Sequence, residues 1–228
     1  MILQVSLAKP NEYRCGNTEI KHHFETITGR PCLMVSYSRV TPEFMARYPI
    51  KAMFVEGFGY RWEEFDVPAA RGLWEVLHST DLPVYGACGG HQLLGFVFNK
   101  DFRKIKQLHD EPVRKLRPGE PDLYPTSYHP GYLTELGMYP LEIVQRDPLL
   151  AGVKKTFWVR EAHYCEVKTL PPDFIVLAKN QNCAIQAMRH ATRPIYGAQF
   201  HAELPCPPAY PDGEKITRNF FRIAGLVK

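Results

Sequence analysis

The chain has 228 residues, 45% of them hydrophobic and 23% charged, which is typical of a globular protein large enough for one sizeable core. Its net charge of +4 comes from 28 basic and 24 acidic residues that are interspersed along the chain, so we expect neither nucleic acid nor a membrane as a partner. Because the chain has no signal-like start and no apolar run of roughly 18 residues, we also expect a cytoplasmic location.

The first part of the chain alternates between apolar runs and amphipathic segments. We predict strands at residues 1–8, 31–38, 50–55 and 83–87, and helices at residues 17–28, 41–48 and 67–77. The helix at 41–48 has a clear start, since Thr41 can cap it and Pro42 suits its first turn. Strands that alternate with helices indicate parallel β-α-β units. We therefore expect an α/β fold with an open, doubly wound sheet, whose ligands bind at the carboxyl ends of the strands.

The second part of the chain is less regular. Residues 100 to about 135 form a charged tract rich in Pro and Tyr, which is either a lid facing an acceptor or a solvated loop, and the sequence favours the solvated loop. Further short strands of an antiparallel or mixed kind are predicted at residues 141–145, 156–160, 174–179, 183–189 and 194–200, and a last helix at 213–224. We expect one domain that spans residues 1–228.

The cysteines are scattered, with no C-x-x-C pair and no His/Cys cluster at zinc spacing. This distribution favours reduced thiols over a disulfide framework. We expect neither a metal nor another cofactor. The six residues are Cys15, Cys32, Cys88, Cys165, Cys183 and Cys206.

Residues 84–95 (VYGACGGHQLLG) are the stretch around which the chain is organised. They predict a strand, a sharp turn and the start of a helix, with Cys88 at the turn. Gly86 and Gly90 stand two residues to either side, where strand and helix approach closely, as in the G-x-S-x-G elbow of serine hydrolases. A thiol at a helix N-terminus is favoured as the thiolate, so Cys88 is a candidate nucleophile. The alternative is a buried structural cysteine.

A cysteine nucleophile needs a base that a third group orients. Residues 195–200 predict a buried strand that runs directly into His201 and Glu203, and an i, i+2 pair at a strand end can point to one edge once the chain bends. Glu203 could therefore hold the imidazole of His201. The alternative is a solvated histidine in a loop.

Together, GACGGHQ at residues 86–92 and GAQFHAE at residues 197–203 resemble the class I (triad) glutamine amidotransferases, whose patterns are G-x-C-x-G-x-Q and G-x-Q-F-H-P-E. Residues 157–178 are similar to the family's strand, histidine turn and following strand. The resemblance is weakest over roughly the first 50 residues and over 100–140. It implies a flavodoxin-like fold, with a mostly parallel sheet flanked by helices and a small antiparallel extension.

The resemblance also implies a mechanism, the hydrolysis of the side-chain amide of glutamine. Cys88 would attack the carboxamide, and His201 would first accept the thiol proton and then donate a proton to the departing ammonia. Glu203 would orient His201. The backbone N–H of Gly89 would be one donor to the oxyanion.

The second oxyanion donor belongs, in the family, to a turn written S-G-G-P. Here that turn is residues 56–59 (EGFG), so Gly57 and Phe58 are the candidate donors, and we expect a ring and the Glu56 carboxylate to line a place that the family keeps small.

The rest of the substrate pocket follows from the same resemblance. Gln92 matches the family glutamine that contacts the amino-acid end of the substrate. Ala162, Tyr164 and Cys165 occupy the turn that completes the pocket, with Tyr164 where the family often has glycine. His163 and Gln92 are about as easily interpreted as ordinary polar residues of a loop and a helix.

Three functions follow from these observations. The first is a glutaminase that passes ammonia to an acceptor on a separate synthase subunit. The second is a stand-alone hydrolase of γ-glutamyl amides or peptides with the same triad, which the altered 56–59 turn mildly favours. The third is a non-catalytic binding module, against which the intact triad argues. We expect glutamine, or another γ-glutamyl small molecule, as the ligand.

Overall fold

The computed structural model describes residues 1–9, 18–123, 129–205 and 207–228, and within these ranges nine strands form one mixed sheet. The strands are β1 (Ile2–Ser6), β2 (Cys32–Ser36), β3 (Ala52–Val55), β4 (Val84–Ala87), β5 (Glu135–Ile143), β6 (Thr156–His163), β7 (Phe174–Lys179), β8 (Ala187–His190) and β9 (Ile195–Ala198). The helices are α1 (Thr18–Thr28), α2 (Pro42–Arg47), α3 (Arg71–Ser79), α4 (Gly89–Asn99) and α5 (Asp212–Ile223). None of these helices is long and apolar enough to cross a membrane.

The sheet has the order β2-β1-β3-β4-β9-β8-β7-β5-β6. Its first five strands pair in parallel, and the remaining strands continue the same sheet in antiparallel pairs. The predicted α/β class with a doubly wound sheet is therefore confirmed, and the antiparallel extension contains four strands, β5 to β8.

Alternate side chains of the parallel strands enter two hydrophobic layers, one on each face of the sheet. Leu3 and Val5 of β1 pack in the layer that contains the buried residues of α3 and α4. Ile2 belongs to the opposite layer, with the buried residues of α1 and α5. Both faces of the parallel strands are thus covered, as is usual for a parallel sheet. Because β4 is also near the centre of the strand order, the turn that follows it lies in the middle of the molecule.

Three strands of the extension differ from their predicted bounds, and one of them, β6, continues to His163, three residues past its predicted end at residue 160. β5 begins at Glu135, six residues before the predicted start at residue 141, because its first part pairs with β6 along a solvent-facing surface and Leu136 is 48% exposed. β8 begins only at Ala187, because Cys183 belongs to a turn in which its N–H donates to the Asn180 side chain over 2.7 Å.

The tract at 100–135 was predicted to be a solvated loop, and that prediction is wrong for the part that the structure describes. Phe102, Leu108 and Val113 are buried, with exposures of 2% or less. An isolated bridge joins Pro112 to Cys165, just beyond β6. The tract lacks regular structure, so its core residues show no helical or strand periodicity in the sequence. Residues 124–128 lie outside the described residues.

Candidate active site

Cys88 sits at the sharp turn between β4 and α4. Its backbone has φ 51° and ψ −109°, and no other described non-glycine residue has a positive φ. Such a conformation costs about 1–3 kcal/mol and is found at functional sites. A Cβ on Gly90 would lie 2.1 Å from the carbonyl oxygen of Val55, and one on Gly86 would lie 2.7 Å from the backbone of Gly90. The two glycines therefore permit the close approach that holds the thiol at this elbow.

His201 follows β9 and lies beside the thiol. Its Nδ1 is 2.7 Å from Oε1 of Glu203, and its imidazole also interacts with the Cys88 side chain. The backbone N–H of His201 donates to the carbonyl of Arg160 over 2.9 Å, which attaches the residue to β6. The structure thus brings together the three residues that the sequence nominated as nucleophile, base and orienting acid.

Two effects on the pKa of His201 oppose one another. Burial lowers the pKa of the imidazole, but the Glu203 carboxylate and the Cys88 side chain raise it by more than burial lowers it. The pKa therefore lies well above its usual 6.5. Glu203 is 2% exposed, so its charge is weakly screened. The His201–Glu203 pair can therefore hold a proton that has left the Cys88 thiol, as nucleophilic attack requires.

The candidate oxyanion donors lie directly against the nucleophile. A Cβ on Gly57 would be 3.2 Å from Cβ of Cys88 and 3.3 Å from the backbone nitrogen of Gly89. The Phe58 ring covers Gly89, since a Cβ there would be 2.8 Å from Cδ1 of the ring. The Glu56 carboxylate instead accepts a hydrogen bond from Gln4 over 2.9 Å and is absent from the residues that line the cavity at Cys88, so the expectation for Glu56 is wrong.

The cavity at Cys88 is small, with a volume of about 30 Å³. Ala162, Tyr164 and Cys165, which the sequence predicted for the substrate pocket, are in its wall. The complete lining is Phe58, Tyr60, Trp62, Cys88, Gly89, Gln92, Ala162, His163, Tyr164 and Cys165.

Gln92 lies on the first turns of α4. Its side-chain amide contacts other protein groups. Trp62 Nε1 donates to Oε1 of Gln92 over 2.8 Å. Nε2 of Gln92 donates to the Cys165 carbonyl over 2.7 Å and lies 3.2 Å from Oε1 of Gln199. The Gln92 side chain thus ties the helix to both sides of the pocket, and its direct contact with substrate stays a prediction.

A family model for class I glutamine amidotransferases (GATase) matches residues 20–224, which include Cys88, His201 and Glu203. The chain belongs to this family.

Relatives of this chain are named as the glutamine-hydrolyzing A subunit of GMP synthase. One from Pyrococcus abyssi is 34% identical over 66% of this chain and 66% of its own length. Another, from Thermococcus kodakarensis, is 32% identical over 82% of this chain and 86% of its own length. For the first of these, the chain covers just under two thirds of the relative's length.

Among solved structures, a Thermoplasma acidophilum protein described as the A subunit of a GMP synthase superposes with a TM-score of 0.70 at 20% identity. The match covers 99% of this chain and 94% of that protein. At this level of identity the likeness establishes the fold of the chain and nothing further.

A buried cluster behind the pocket was not predicted from the sequence. His163 Nδ1 lies 2.9 Å from the Cys165 carbonyl, and its Nε2 lies 2.9 Å from Glu135 and 3.3 Å from Glu161. Burial lowers the pKa of His163, but the two carboxylates raise it more, to about 10. Asn180, Asn182 and Gln186 donate to Glu135.

This imidazolium pins the 162–165 turn to the sheet. A sequence signal was present, because the inward positions of β6 are apolar at its start and carry Glu161 and His163 at its carboxyl end, where a site was expected.

The tract at 100–135 supplies a second group of unpredicted contacts. Oδ1 of Asp110 accepts the Trp62 backbone N–H over 2.7 Å, while Oδ2 lies 2.8 Å from Nε2 of His129. The N–H of Val113 donates to the Tyr164 carbonyl over 3.0 Å. This part of the chain therefore supports the wall of the candidate active site.

Proposed function

We propose that this chain hydrolyses the side-chain amide of glutamine and passes the ammonia to an acceptor on a separate protein. The observation that carries the proposal is the strained Cys88 elbow with the His201–Glu203 pair beside it, joined at 2.7 Å. Membership of the amidotransferase family and the names of the relatives support the same activity.

In the proposed reaction, Sγ of Cys88 attacks the carboxamide carbon while its proton moves to His201. The developing oxyanion is stabilised by the N–H of Gly89 and by a backbone N–H of Gly57 or Phe58. His201 then protonates the departing ammonia, which leaves a thioester. Water, deprotonated by His201, releases glutamate and regenerates the thiol.

Glu203 acts through His201. Its carboxylate, 2.7 Å from Nδ1, fixes the orientation of the ring and stabilises the imidazolium that forms in both half-reactions. The acceptor that we propose is a nucleotide synthase subunit, since the relatives are subunits named for GMP synthase.

The second candidate is a hydrolase of longer γ-glutamyl compounds. Phe58, Tyr60 and Tyr164 line the cavity at Cys88, and such rings could cover an apolar group attached to the γ-nitrogen. Glutamine remains our choice of substrate, because the differences from the family pattern at residues 56–59 and at Tyr164 leave the backbone N–H donors in place.

The deciding assay measures glutamate and ammonia released by the purified protein from glutamine and from a panel of γ-glutamyl amides and peptides. It is run with and without the synthase subunit from the same organism, so that a partner-dependent activity is also detected. We expect turnover of glutamine that Cys88→Ala abolishes and that Cys183→Ala, at a buried thiol elsewhere, does not. Turnover of γ-glutamyl peptides with none of glutamine would favour the hydrolase.

A further inference from the structure

Three side chains of different chemistry converge at the edge of the pocket, apart from Cys88, His201 and Glu203. One nitrogen of His129, one carboxylate oxygen of Asp110 and Sγ of Cys165 all lie within 4.8 Å of one another. Oδ2 of Asp110 and Nε2 of His129 are 2.8 Å apart. The Asp110 side chain is 1% exposed and Cys165 is 3% exposed, whereas the His129 side chain is 20% exposed. The cluster is thus a small polar recess with one accessible edge.

The backbone fixes two of these side chains before any ligand arrives. Cys165 forms a β-bridge with Pro112, which brings the Asp110 segment alongside the end of β6. The Trp62 N–H occupies Oδ1 of Asp110 and so turns Oδ2 towards His129. The carbonyl of Cys165 accepts a hydrogen bond from Gln92, which holds the backbone at this residue. Preorganised ligands with outer hydrogen bonds are what a tight metal site needs.

The local charge also suits a cation. The Asp110 carboxylate belongs to the recess, and a second carboxylate, that of Glu63, adjoins it. Glu63 is bound to this segment, since its Oε1 accepts the backbone N–H of Asp110 over 3.0 Å. The negative charge of these two carboxylates would attract a divalent ion.

We propose that Asp110, His129 and Cys165 form a binding site for a divalent cation of the zinc class. Ligands about 2.0–2.3 Å from one ion lie about 3–4 Å from one another, so small side-chain movements would suffice. A thiolate and an imidazole select zinc over magnesium or calcium, which prefer oxygen.

On binding, Cys165 would lose its thiol proton to solvent, and His129 would bind through an unprotonated ring nitrogen. The thiolate and the carboxylate then balance the two charges of the ion. A water molecule on the exposed side of His129 would complete a tetrahedral site.

The other cluster of ligand-type residues in the described ranges is Glu135, Glu161 and His163. There both nitrogens of His163 already contact oxygen atoms, and Glu135 accepts from three amides as well. That cluster is satisfied as an ion pair, with exposures of 2% or less, so an ion has neither a free imidazole nitrogen nor a route of entry.

The test uses the full chain with Cys88→Ala, because the active-site thiol and His201 could themselves bind zinc. Cobalt(II) is titrated as a probe and followed by its visible bands and its near-ultraviolet thiolate band, and zinc is titrated by calorimetry. We expect one ion per chain, bound through sulfur. His129→Ala and Cys165→Ser should each weaken binding by more than about 100-fold, since even an outer partner of a metal ligand is worth 10–100-fold.

Two matched variants serve as controls. His109→Ala removes a neighbouring histidine that is 73% exposed, and Cys183→Ser removes another buried thiol, so both should bind the ion as the parent does. No sulfur-bound ion in the parent, or unchanged affinity in His129→Ala, would overturn the proposal. If Cys165→Ser fails to fold, His129→Ala decides alone, because its side chain is partly exposed.

Discussion

At the scale of single residues, Cys88 differs from the other described cysteines by its surroundings. Burial raises the pKa of Cys32 to about 12 and also raises the pKa of Cys165 and of Cys183, so these thiols stay protonated at neutral pH. Cys88 lies instead at the N-terminus of α4 with His201 beside it. Because the thiolate is the reactive form, Cys88 should be the reactive thiol among these described cysteines.

The first prediction tests that assignment. A glutamine-like electrophile such as a diazo-ketone analogue should attach to Cys88 alone, and peptide mapping by mass spectrometry should locate the label. Cys88→Ala should take up none. Label on Cys165 or Cys32 in the folded protein, with Cys88 spared, would contradict the assignment.

The second prediction concerns Glu203. Glu203→Gln removes a carboxylate that raises the pKa of His201, so that pKa should fall and the acidic limb of the kcat/KM profile should move to lower pH. We expect kcat to fall by about 100-fold or more, with a measurable remnant that Cys88→Ala lacks. An unshifted profile with full activity would show that Glu203 does not support His201.

At the scale of elements, the contact between β3, β4 and α4 holds the nucleophile at its turn. A Cβ on Gly90 would meet the Val55 carbonyl at 2.1 Å, so Gly90→Ala must push the start of α4 away from β3. Gly59 offers a matched control, since nothing lies within 4 Å of a Cβ placed there.

The third prediction compares these two substitutions. Gly90→Ala should lower the free energy of unfolding by about 1–3 kcal/mol through overpacking and should also displace Cys88 and remove activity. Gly59→Ala should leave both nearly unchanged. Denaturant unfolding and the glutaminase assay measure the two effects. Equal stability and activity in both variants would mean that the elbow is not sterically restricted.

The fourth prediction concerns the link between Trp62 and Gln92 at the pocket. Trp62→Phe keeps an aromatic ring but removes the N–H that donates to Gln92, leaving a buried acceptor unpaired at a cost of about 1–3 kcal/mol. We expect a raised KM for glutamine, since Gln92 positions the Cys165 turn. Trp74→Phe is the control, because its indole donates to the Lys100 carbonyl at an exposed position. A KM shift of the same size in both variants would argue against this link.

At the scale of the whole molecule, two hydrophobic layers extend over one nine-stranded sheet, and we propose on this basis that residues 1–228 are one domain. The His163 cluster joins the antiparallel part of that sheet to the pocket. The pKa of His163 in the folded protein is about 10, above its ordinary 6.5. The imidazolium of His163 therefore contributes its full stabilisation below about pH 6.5, and this contribution is lost as the pH rises through 10.

The fifth prediction follows from this dependence. His163→Leu leaves the buried Glu135 without its cation and should lower the free energy of unfolding by about 3–5 kcal/mol at neutral pH. The difference from the parent should narrow as the pH approaches 10. His22→Leu, at a side chain that is 74% exposed, is the control. A difference that does not change between pH 6 and 10 would contradict a charged His163.

The sequence alone determined the fold class, the alternation of the parallel half and the positions of Cys88, His201 and Glu203, because these depend on local periodicity and on short motifs. It also predicted the cap at Thr41, whose side chain accepts the Phe44 N–H over 3.1 Å. Sequence reasoning was weaker where pairing is long-range, as in β5, whose exposed face has no hydrophobic alternation to mark its start.

Only the tertiary structure decided which distant residues meet. Glu135 joins His163, and Asp110 and His129 join Cys165, across separations in sequence at which no spacing rule applies. The same holds for Gln92, whose amide is engaged by Trp62 and Cys165, and for Glu56, which turns to Gln4 and away from the pocket. The physical reason is that a local pattern specifies which face of an element is buried, whereas the partner of a buried polar group depends on how the elements pack.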